Sequence, residues 1–177
     1  ANEIHFTPDK KLLDYGCGYG GLLYEFWNMP FEGLCGTDIS DWIIDYGKKR
    51  FPCIADKLHH HDINLLKGEY DFLFLLDVLE HMPEEAVKQA LDLARPRECI
   101  IARIPVAARE GGKFVLDASN SDPTHLCCHA RAWWLDLFRD NGYEFKGDIQ
   151  RDAIYSSAGV LSGKWKRVEP VMENFAG

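Results

Sequence analysis

The sequence contains no apolar run of transmembrane length, and its first residues, ANEIHFTPDKK, lack the apolar core of a secretory signal. These two absences argue against a membrane-spanning or exported chain. They predict an intracellular, cytoplasmic protein without a membrane partner.

Basic residues are also scarce, since 20 lysines and arginines stand against 28 acids and give a formal net charge of −8. Binding to a phosphate backbone needs clustered Lys and Arg that replace condensed counterions. The one basic aromatic cluster, Lys164–Arg167 (KWKR), is expected to be a solvated strand edge. We therefore expect no nucleic-acid partner.

The six cysteines show no C-x-x-C spacing, which favours reduced thiols over a disulfide framework or a zinc site. In the run His59–His61 alternate side chains of a strand would point to opposite faces, so at most two could share an ion. The trio Cys127, Cys128 and His129 fits packing better than chelation, because adjacent residues seldom chelate one ion well. We therefore expect no metal site.

A glycine-rich segment, Lys10–Gly21 (KKLLDYGCGYGG), organises the chain. Leu12 and Leu13 predict a strand, and the glycines that follow predict a tight turn that leads into a helix. Glycine permits the backbone angles of such a turn and lets a ligand approach the main chain. Since the helix also directs free N–H groups into this space, the pattern predicts a nucleotide-like ligand.

Two ligands fit this turn. Gly16, Gly18 and Gly21 match the dinucleotide fingerprint, which leaves open an NAD(P)-dependent oxidoreductase. Asp14, two residues before the first glycine, would repel a pyrophosphate and suits a ligand with a cationic amine. We therefore favour S-adenosylmethionine, whose methionine end carries an ammonium group.

A second acid, Asp38, follows Gly18 at the spacing at which nucleotide-binding βαβ units place a carboxylate on ribose hydroxyls. Its neighbour Ile39 would pack on an adenine face. Ser40 is a predicted N-cap of the helix Asp41–Arg50, and the alternative that Asp38 itself is only a cap stays open.

The glycine segment resembles the first motif of the class I, seven-stranded SAM-dependent methyltransferases, acid-x-G-x-G-x-G. Asp14, Gly16, Gly18 and Gly20 match it, and Cys17 lies within the same turn. The string DVLEHMP, which begins at Asp77, resembles the small-molecule branch of types 11 and 23. The resemblance covers most of Leu12–Phe145.

The resemblance implies an α/β fold, a three-layer α/β/α sandwich around a Rossmann-like, mostly parallel seven-stranded sheet with an antiparallel C-terminal strand. We expect one domain over residues 1–177, with an N-terminal segment missing, since this class usually carries helices before the first strand. The expected elements follow in chain order: strands Phe31–Thr37, within Cys53–His61, Tyr70–Asp77 and Glu98–Ile104, helices Glu84–Ala94 and Ala130–Asn141, and strands Tyr143–Ile149 and Ala153–Trp165.

The resemblance also implies further cofactor contacts. Asp62 would contact the exocyclic amine of adenine and the backbone of Ile63 a ring nitrogen. Asp77 and Leu79 would lie beneath the methionine moiety. For Asp62, a simple loop acid is the alternative.

Methyl transfer to an alcohol or phenol requires that its proton be removed, and histidine has a suitable pKa near neutrality. His81 and His125 are the catalytic candidates, with an architectural role for His81 and a hydrogen bond from His125 to Asp122 as the alternatives. Residues 106–123 form a long polar segment after a central strand and are a candidate substrate lid.

The sequence thus predicts a SAM-dependent methyltransferase that acts on a small-molecule acceptor, most simply on oxygen. No acid-Pro-Pro-aromatic string follows the fourth strand, which again disfavours a nucleic-acid base as the acceptor. A non-catalytic SAM-binding domain and the oxidoreductase remain alternatives, and the sequence leaves monomer and homodimer open.

Overall fold

A computed structural model of the chain describes residues 6–29, 31–151 and 154–168. Its strands are β1 Lys11–Tyr15, β2 Gly33–Asp38, β3 Leu58–His60, β4 Phe72–Leu76, β5 Cys99–Pro105, β6 Tyr143–Asp148, β7 Gln150–Arg151, β8 Ile154–Tyr155 and β9 Val160–Arg167. Its α-helices are α1 Gly21–Phe26, α2 Asp41–Arg50, α3 Glu84–Leu93, α4 Asp117–Ser121 and α5 Arg131–Asp140.

The main sheet has seven strands in the order β3-β2-β1-β4-β5-β9-β6. β1 pairs in parallel with β2 and with β4, and β2 with β3 and β4 with β5 pair in the same sense. β9 is antiparallel to both of its neighbours, β5 and β6. This topology confirms the predicted sheet, including its antiparallel C-terminal strand.

Successive residues of a strand point to opposite faces of the sheet, and the strands carry apolar side chains on both faces. Helices therefore cover both faces. Leu13 and the buried residues of α3 and α5, such as Leu91 and Trp134, belong to one apolar cluster. Leu12 belongs to another, against which Phe26 of α1 packs. The three-layer prediction is therefore confirmed.

Two helices illustrate how local sequence positions these layers. α2 begins and ends at the predicted residues, and the Ser40 hydroxyl accepts a hydrogen bond from the Ile43 N–H at 3.4 Å. α5 ends before Gly142, whose φ of +82° is the left-handed conformation that ends many helices. Among the described residues, no helix is long and apolar enough to span a membrane.

The third strand lies within the predicted segment, at Leu58–His60, and Pro52–Lys57 before it forms a 3₁₀ helix. Two local predictions were wrong. The last strand begins at Val160, because the chain before it turns into the hairpin β7–β8; Ala153 lies outside the described residues. The KWKR segment is not a sheet edge, since β9 lies between β5 and β6 and its Trp165 is fully buried.

The six cysteines are free thiols, as expected. Cys17, Cys99 and Cys127 are buried among apolar side chains, where a reduced cysteine behaves as a small hydrophobe. Burial raises the pKa of each of these three thiols, so they stay protonated near neutral pH.

One acid of β1 is buried. Asp14 is 4% exposed, and burial, followed by the negative charge of Asp38, raises its pKa to about 7. An acid whose pKa is higher in the folded chain than in the unfolded chain stabilises the fold below its unfolded pKa. That contribution is lost as the pH rises through the folded pKa.

Asp14→Asn should therefore remove a pH-dependent loss of stability from the ligand-free protein. Its free energy of unfolding relative to the wild type should rise between pH 5 and pH 8 by about 2 to 4 kcal/mol, at about 1.4 kcal/mol per pKa unit. Urea unfolding of both proteins at the two pH values measures this. The same difference at pH 5 and pH 8 would contradict it.

A second constraint holds α2 against the glycine segment. A Cβ on Gly47 would lie 2.4 Å from the carbonyl oxygen of Tyr19, which is backbone and cannot rotate away. At Gly33, in contrast, a Cβ would meet only the Lys11 side chain, at 3.4 Å.

Gly47→Ala should destabilise the protein by about 1 to 3 kcal/mol through overpacking, although alanine is normally favoured over glycine in a helix by about 1 kcal/mol. Gly33→Ala is the matched control and should cost less than about 0.5 kcal/mol. Chemical denaturation of both variants measures the effect. Equal or greater stability of Gly47→Ala would show that α2 is not in contact with the turn.

Candidate active site

The turn after β1 is fixed to the end of β2 by backbone hydrogen bonds. The N–H groups of Gly16 and Cys17 both donate to the carbonyl oxygen of Thr37, at 2.7 and 3.0 Å. Gly16, Gly18 and Gly20 all have positive φ, of +84°, +54° and +84°, which confirms that the turn needs glycine.

The Asp38 carboxylate completes this connection. Its Oδ2 accepts a hydrogen bond from the Gly18 N–H at 2.8 Å, and its Oδ1 accepts one from the Ser40 N–H at 2.9 Å. A carboxylate has about four acceptor sites, so further hydroxyl donors can still bind it. Asp38 therefore anchors the turn and still has free acceptor sites for a ligand. Ser40, and not Asp38, caps the helix through its side chain.

A cavity of about 700 Å³ opens at this edge of the sheet. The residues that line it come from the carboxyl ends of the strands and the loops after them: Tyr15, Gly16, Gly18, Thr37, Asp38, Ile39, His61, Asp77, Val78, His81, Met82, Thr124 and Leu126. In open α/β sheets this is where ligands bind. Six residues predicted for the site, Gly16, Gly18, Asp38, Ile39, Asp77 and His81, thus meet in one cavity.

Two of the glycines serve different purposes. A Cβ on Gly16 would lie 2.2 Å from a methyl carbon of Val78, so this glycine is needed for packing. A Cβ on Gly18 would meet nothing within 4 Å, because the main chain there faces the open cavity. Ile39 is 83% exposed at the same cavity and presents an apolar surface to a ligand.

The other predicted cofactor residues are not among those that line the cavity. Asp14, Cys17 and Leu79 are buried, and Gly20 is the N-cap residue of α1. The Asp62 carboxylate accepts the Asn64 N–H at 2.9 Å and thereby caps the 3₁₀ helix that begins at Ile63.

Asp77 has an unusual backbone for a non-glycine residue, with φ at +54°. Its N–H donates to the carbonyl oxygen of Arg103 at 2.9 Å, and its carboxylate pairs with the Arg103 guanidinium. Burial raises the pKa of Asp77, and the arginine charge opposes this shift. A strained residue held by the neighbouring strand is typical of a functional position.

The two histidines named from the sequence lie side by side. The ring centroids of His81 and His125 are 4.5 Å apart. His81 Nδ1 lies 2.8 Å from the Thr124 hydroxyl, which donates to Asp122 at 2.6 Å. His125 Nε2 lies 3.7 Å from the other Asp122 oxygen. One loop, residues 122–125, therefore orients both rings.

Glu80, a buried acid next to His81, was not predicted from the sequence. It is 1% exposed, and its carbonyl oxygen accepts the N–H groups of Leu126 and Cys127 at 2.7 and 2.9 Å. Burial raises the pKa of Glu80 to about 8, against the opposing effect of a backbone hydrogen bond and with a smaller contribution from the charge of Asp77. Its position next to His81 in the DVLEHMP string was the available signal.

The remaining cavity residues without a sequence prediction are Tyr15, Thr37, His61, Val78, Met82, Thr124 and Leu126. Most directly precede or follow a predicted strand end, and the parallel topology brings those ends together. His61 belongs to the histidine run but faces Tyr15, with ring centroids 5.8 Å apart. His60 instead lies near Asp41 and Asp45, at 3.0 and 3.4 Å.

The predicted lid, residues 106–123, is partly structured. It contains α4, and the Ala107 N–H donates to the carbonyl oxygen of His129 at 2.8 Å. Phe114 packs against His125 with ring centroids 5.2 Å apart. The cavity wall itself is formed by Thr124 and Leu126, just after this segment. A lid function stays a prediction.

Comparison with known proteins places the chain in a family. A family model described as a methyltransferase domain, type 23, matches residues 3–147. A ubiquinone biosynthesis O-methyltransferase from Dechloromonas aromatica (strain RCB) is 26% identical over 120 residues, 64% of this chain and 46% of that protein. Its counterpart from Aromatoleum aromaticum is 28% identical over 95 residues, 49% of this chain and 40% of that protein. The aligned region thus spans less than half the length of these relatives.

Solved structures share the fold at low identity. The mitomycin 7-O-methyltransferase MmcR superimposes with a TM-score of 0.67 at 14% identity, over 93% of this chain and 51% of that one. The methyltransferase domain of bacterial CtHen1-C gives a TM-score of 0.63 at 19% identity, over 89% of both chains.

The family match decides between the two ligands that the glycine turn left open, because it covers the turn, the Asp38 segment and the DVLEHMP string. It favours S-adenosylmethionine over a dinucleotide. The chain belongs to the type 23 methyltransferase-domain family of SAM-dependent methyltransferases.

Proposed function

We propose that this domain transfers a methyl group from S-adenosylmethionine to a hydroxyl oxygen of a small molecule, and that the hydroxyl is acidic, as in a phenol. The observation that carries the proposal is the cavity itself. Gly18 and Asp38 line one side of it, and His81 lines the other, where its ring packs against that of His125.

The residues of the first side fit the nucleoside part of the cofactor. Gly18 leaves a space that any Cβ would fill, the Asp38 carboxylate retains acceptor sites for ribose hydroxyls, and Ile39 offers an apolar face to adenine. Asp77, which lines the cavity, offers a carboxylate to a cationic ligand. Asp14, whose pKa burial raises to about 7, would add a second negative charge when a cationic ligand lowers that pKa. When bound, the cofactor supplies an electrophilic methyl group on a sulfonium.

The residues of the second side fit an acceptor that must lose a proton. His81 lines the cavity, and His125 packs directly against it. A phenolic hydroxyl has a pKa of about 10, so neighbouring polar side chains can help to remove its proton near neutral pH. An alkyl alcohol is a much weaker acid and would be harder to deprotonate. Positioning of that hydroxyl would supply much of the remaining catalysis.

Two further facts support a small molecule. The net charge of −8 opposes binding to a phosphate backbone. The curated relatives carry the name O-methyltransferase. The match to the methyltransferase-domain family, over residues 3–147, includes the cavity-forming strands.

Calorimetric titration with S-adenosylhomocysteine tests the cofactor side. The wild type should bind, whereas Asp38→Asn, which keeps one acceptor for Gly18 but loses the charge, should bind about tenfold more weakly or worse. Asp45→Asn, on the exposed part of α2, is the matched control and should bind like the wild type. Binding of NAD instead, or no loss in Asp38→Asn, would contradict the assignment.

A mass-spectrometric assay tests the acceptor side. The protein is incubated with S-adenosylmethionine and a panel of simple phenols, catechols, aliphatic alcohols and primary amines. We expect products heavier by one methylene unit among the phenols and catechols. Methylation confined to amines would contradict the oxygen assignment, and cofactor binding with no turnover on any member would favour a non-catalytic domain.

A further inference from the structure

Three potential metal ligands converge beside the acceptor end of the cavity. Glu80, His81 and His125 each offer one donor atom, and these atoms all lie within 4.8 Å of one another. We propose that these three residues bind a divalent transition-metal ion of the Zn²⁺ type, which faces the acceptor hydroxyl.

The spacing is close to that of a coordination site. Metal–nitrogen and metal–oxygen bonds are about 2.0 to 2.2 Å long, so two ligands of one tetrahedral ion lie about 3.3 to 3.6 Å apart. The ligand atoms must therefore approach one another by up to about 1.5 Å. Small side-chain rotations supply such a movement without a change in the backbone.

The hydrogen bonds of His81 leave a free lone pair for the ion. The Thr124 hydroxyl has one proton, which it donates to Asp122, so it can only accept from His81 Nδ1. Nδ1 therefore carries the ring proton and Nε2 is the free acceptor. Metal-binding histidines characteristically hold their second nitrogen in this way.

His125 also has a ring nitrogen that is free to bind an ion. Its side chain is 10% exposed, and its Nε2 faces the Asp122 carboxylate at 3.7 Å. Its Nδ1 is buried and has no hydrogen-bond partner within the part of the chain that the structure describes. A buried polar atom without a partner is costly, and an ion would satisfy it.

The carboxyl group of Glu80 supplies the second buried atom without a partner. Glu80 is 1% exposed, and its Oε2 has no hydrogen-bond partner among the described residues. Arg103, the nearby cation, is already paired with Asp77. A bound divalent ion would take the place of the carboxyl proton of Glu80 and give this buried oxygen a partner.

The ligand set suggests the kind of ion. Two imidazoles and one carboxylate form a common zinc set and also suit other divalent transition metals, whereas magnesium prefers oxygen ligands alone. Three protein ligands leave coordination positions open, as in catalytic sites. Because His81 lines the cavity, the open side would face the bound acceptor.

The role of the ion rests on the proposed function. A cation next to the acceptor lowers the pKa of its hydroxyl, and the proton passes to solvent. The oxygen–carbon bond then forms as the methyl–sulfur bond breaks, with that electron pair left on sulfur. His81 and His125 would thus act as ligands rather than as proton acceptors.

This site replaces the expectation that the chain holds no metal. That expectation considered His59–His61 and the trio that ends at His129, whereas the proposed ligands come from two loops far apart in sequence. His60, with Asp41 and Asp45, is an exposed alternative cluster and supplies the matched control.

The experiment titrates ZnCl₂, and in parallel CoCl₂ as a spectroscopic probe, into protein freed of metal with a chelator. We expect micromolar or tighter binding at one site per chain and visible Co²⁺ absorption of low-symmetry coordination. Glu80→Gln and His125→Asn should weaken binding at least about tenfold. Thr124→Val, which removes the hydroxyl that connects His81 to Asp122, should weaken it by about tenfold. His60→Ala should bind like the wild type.

Circular dichroism of each variant controls for folding, and S-adenosylhomocysteine is titrated into the same samples. Wild-type protein that binds S-adenosylhomocysteine but neither metal would overturn the metal site and leave the proposed function standing. Metal binding lost in His60→Ala instead of His125→Asn would also overturn it. Metal binding without S-adenosylhomocysteine binding would overturn the proposed function and keep the site.

Discussion

The hydrogen bond from the Gly18 N–H to the Asp38 carboxylate is the contact on which the site depends. It joins the turn after β1 to the end of β2, together with the two bonds to the Thr37 carbonyl oxygen. Because these strands are adjacent and parallel, their carboxyl ends can form one wall of a cavity. The wall combines a carboxylate that retains acceptor sites with an open main chain at Gly18, which suits the ribose of a nucleoside.

The opposite wall is organised by a different acid. Asp122 holds Thr124 and faces His125, and through Thr124 it fixes the ring of His81. The N–H groups of Leu126 and Cys127 both donate to the Glu80 carbonyl oxygen, and these bonds hold the segment after His125 against the segment after β4. A short segment after the long loop is thereby placed against the cavity, and the side chain of Glu80 is left buried behind it.

The sequence predicted the first wall well, because each of its residues belongs to a local pattern. Gly16, Gly18 and Asp38 are defined by spacing, and the helix after Ser40 by its cap and periodicity. The second wall depends on contacts between distant segments. His125 was predicted because histidine is a common catalytic side chain, whereas nothing in the local sequence predicted that Glu80 would be buried near it. The burial of Asp14 and Leu79 behind the wall likewise follows from packing, and the central position of β9 follows from sheet order, which no local pattern encodes.

The most direct test of this account is a crystal structure of the protein with S-adenosylhomocysteine, grown in the presence of Zn²⁺. We predict the ribose hydroxyls at Asp38, the sulfur directed towards His81, and anomalous scattering from an ion between Glu80, His81 and His125. S-adenosylhomocysteine bound away from the Gly18–Asp38 wall, or its sulfur directed away from the histidine pair, would contradict the account.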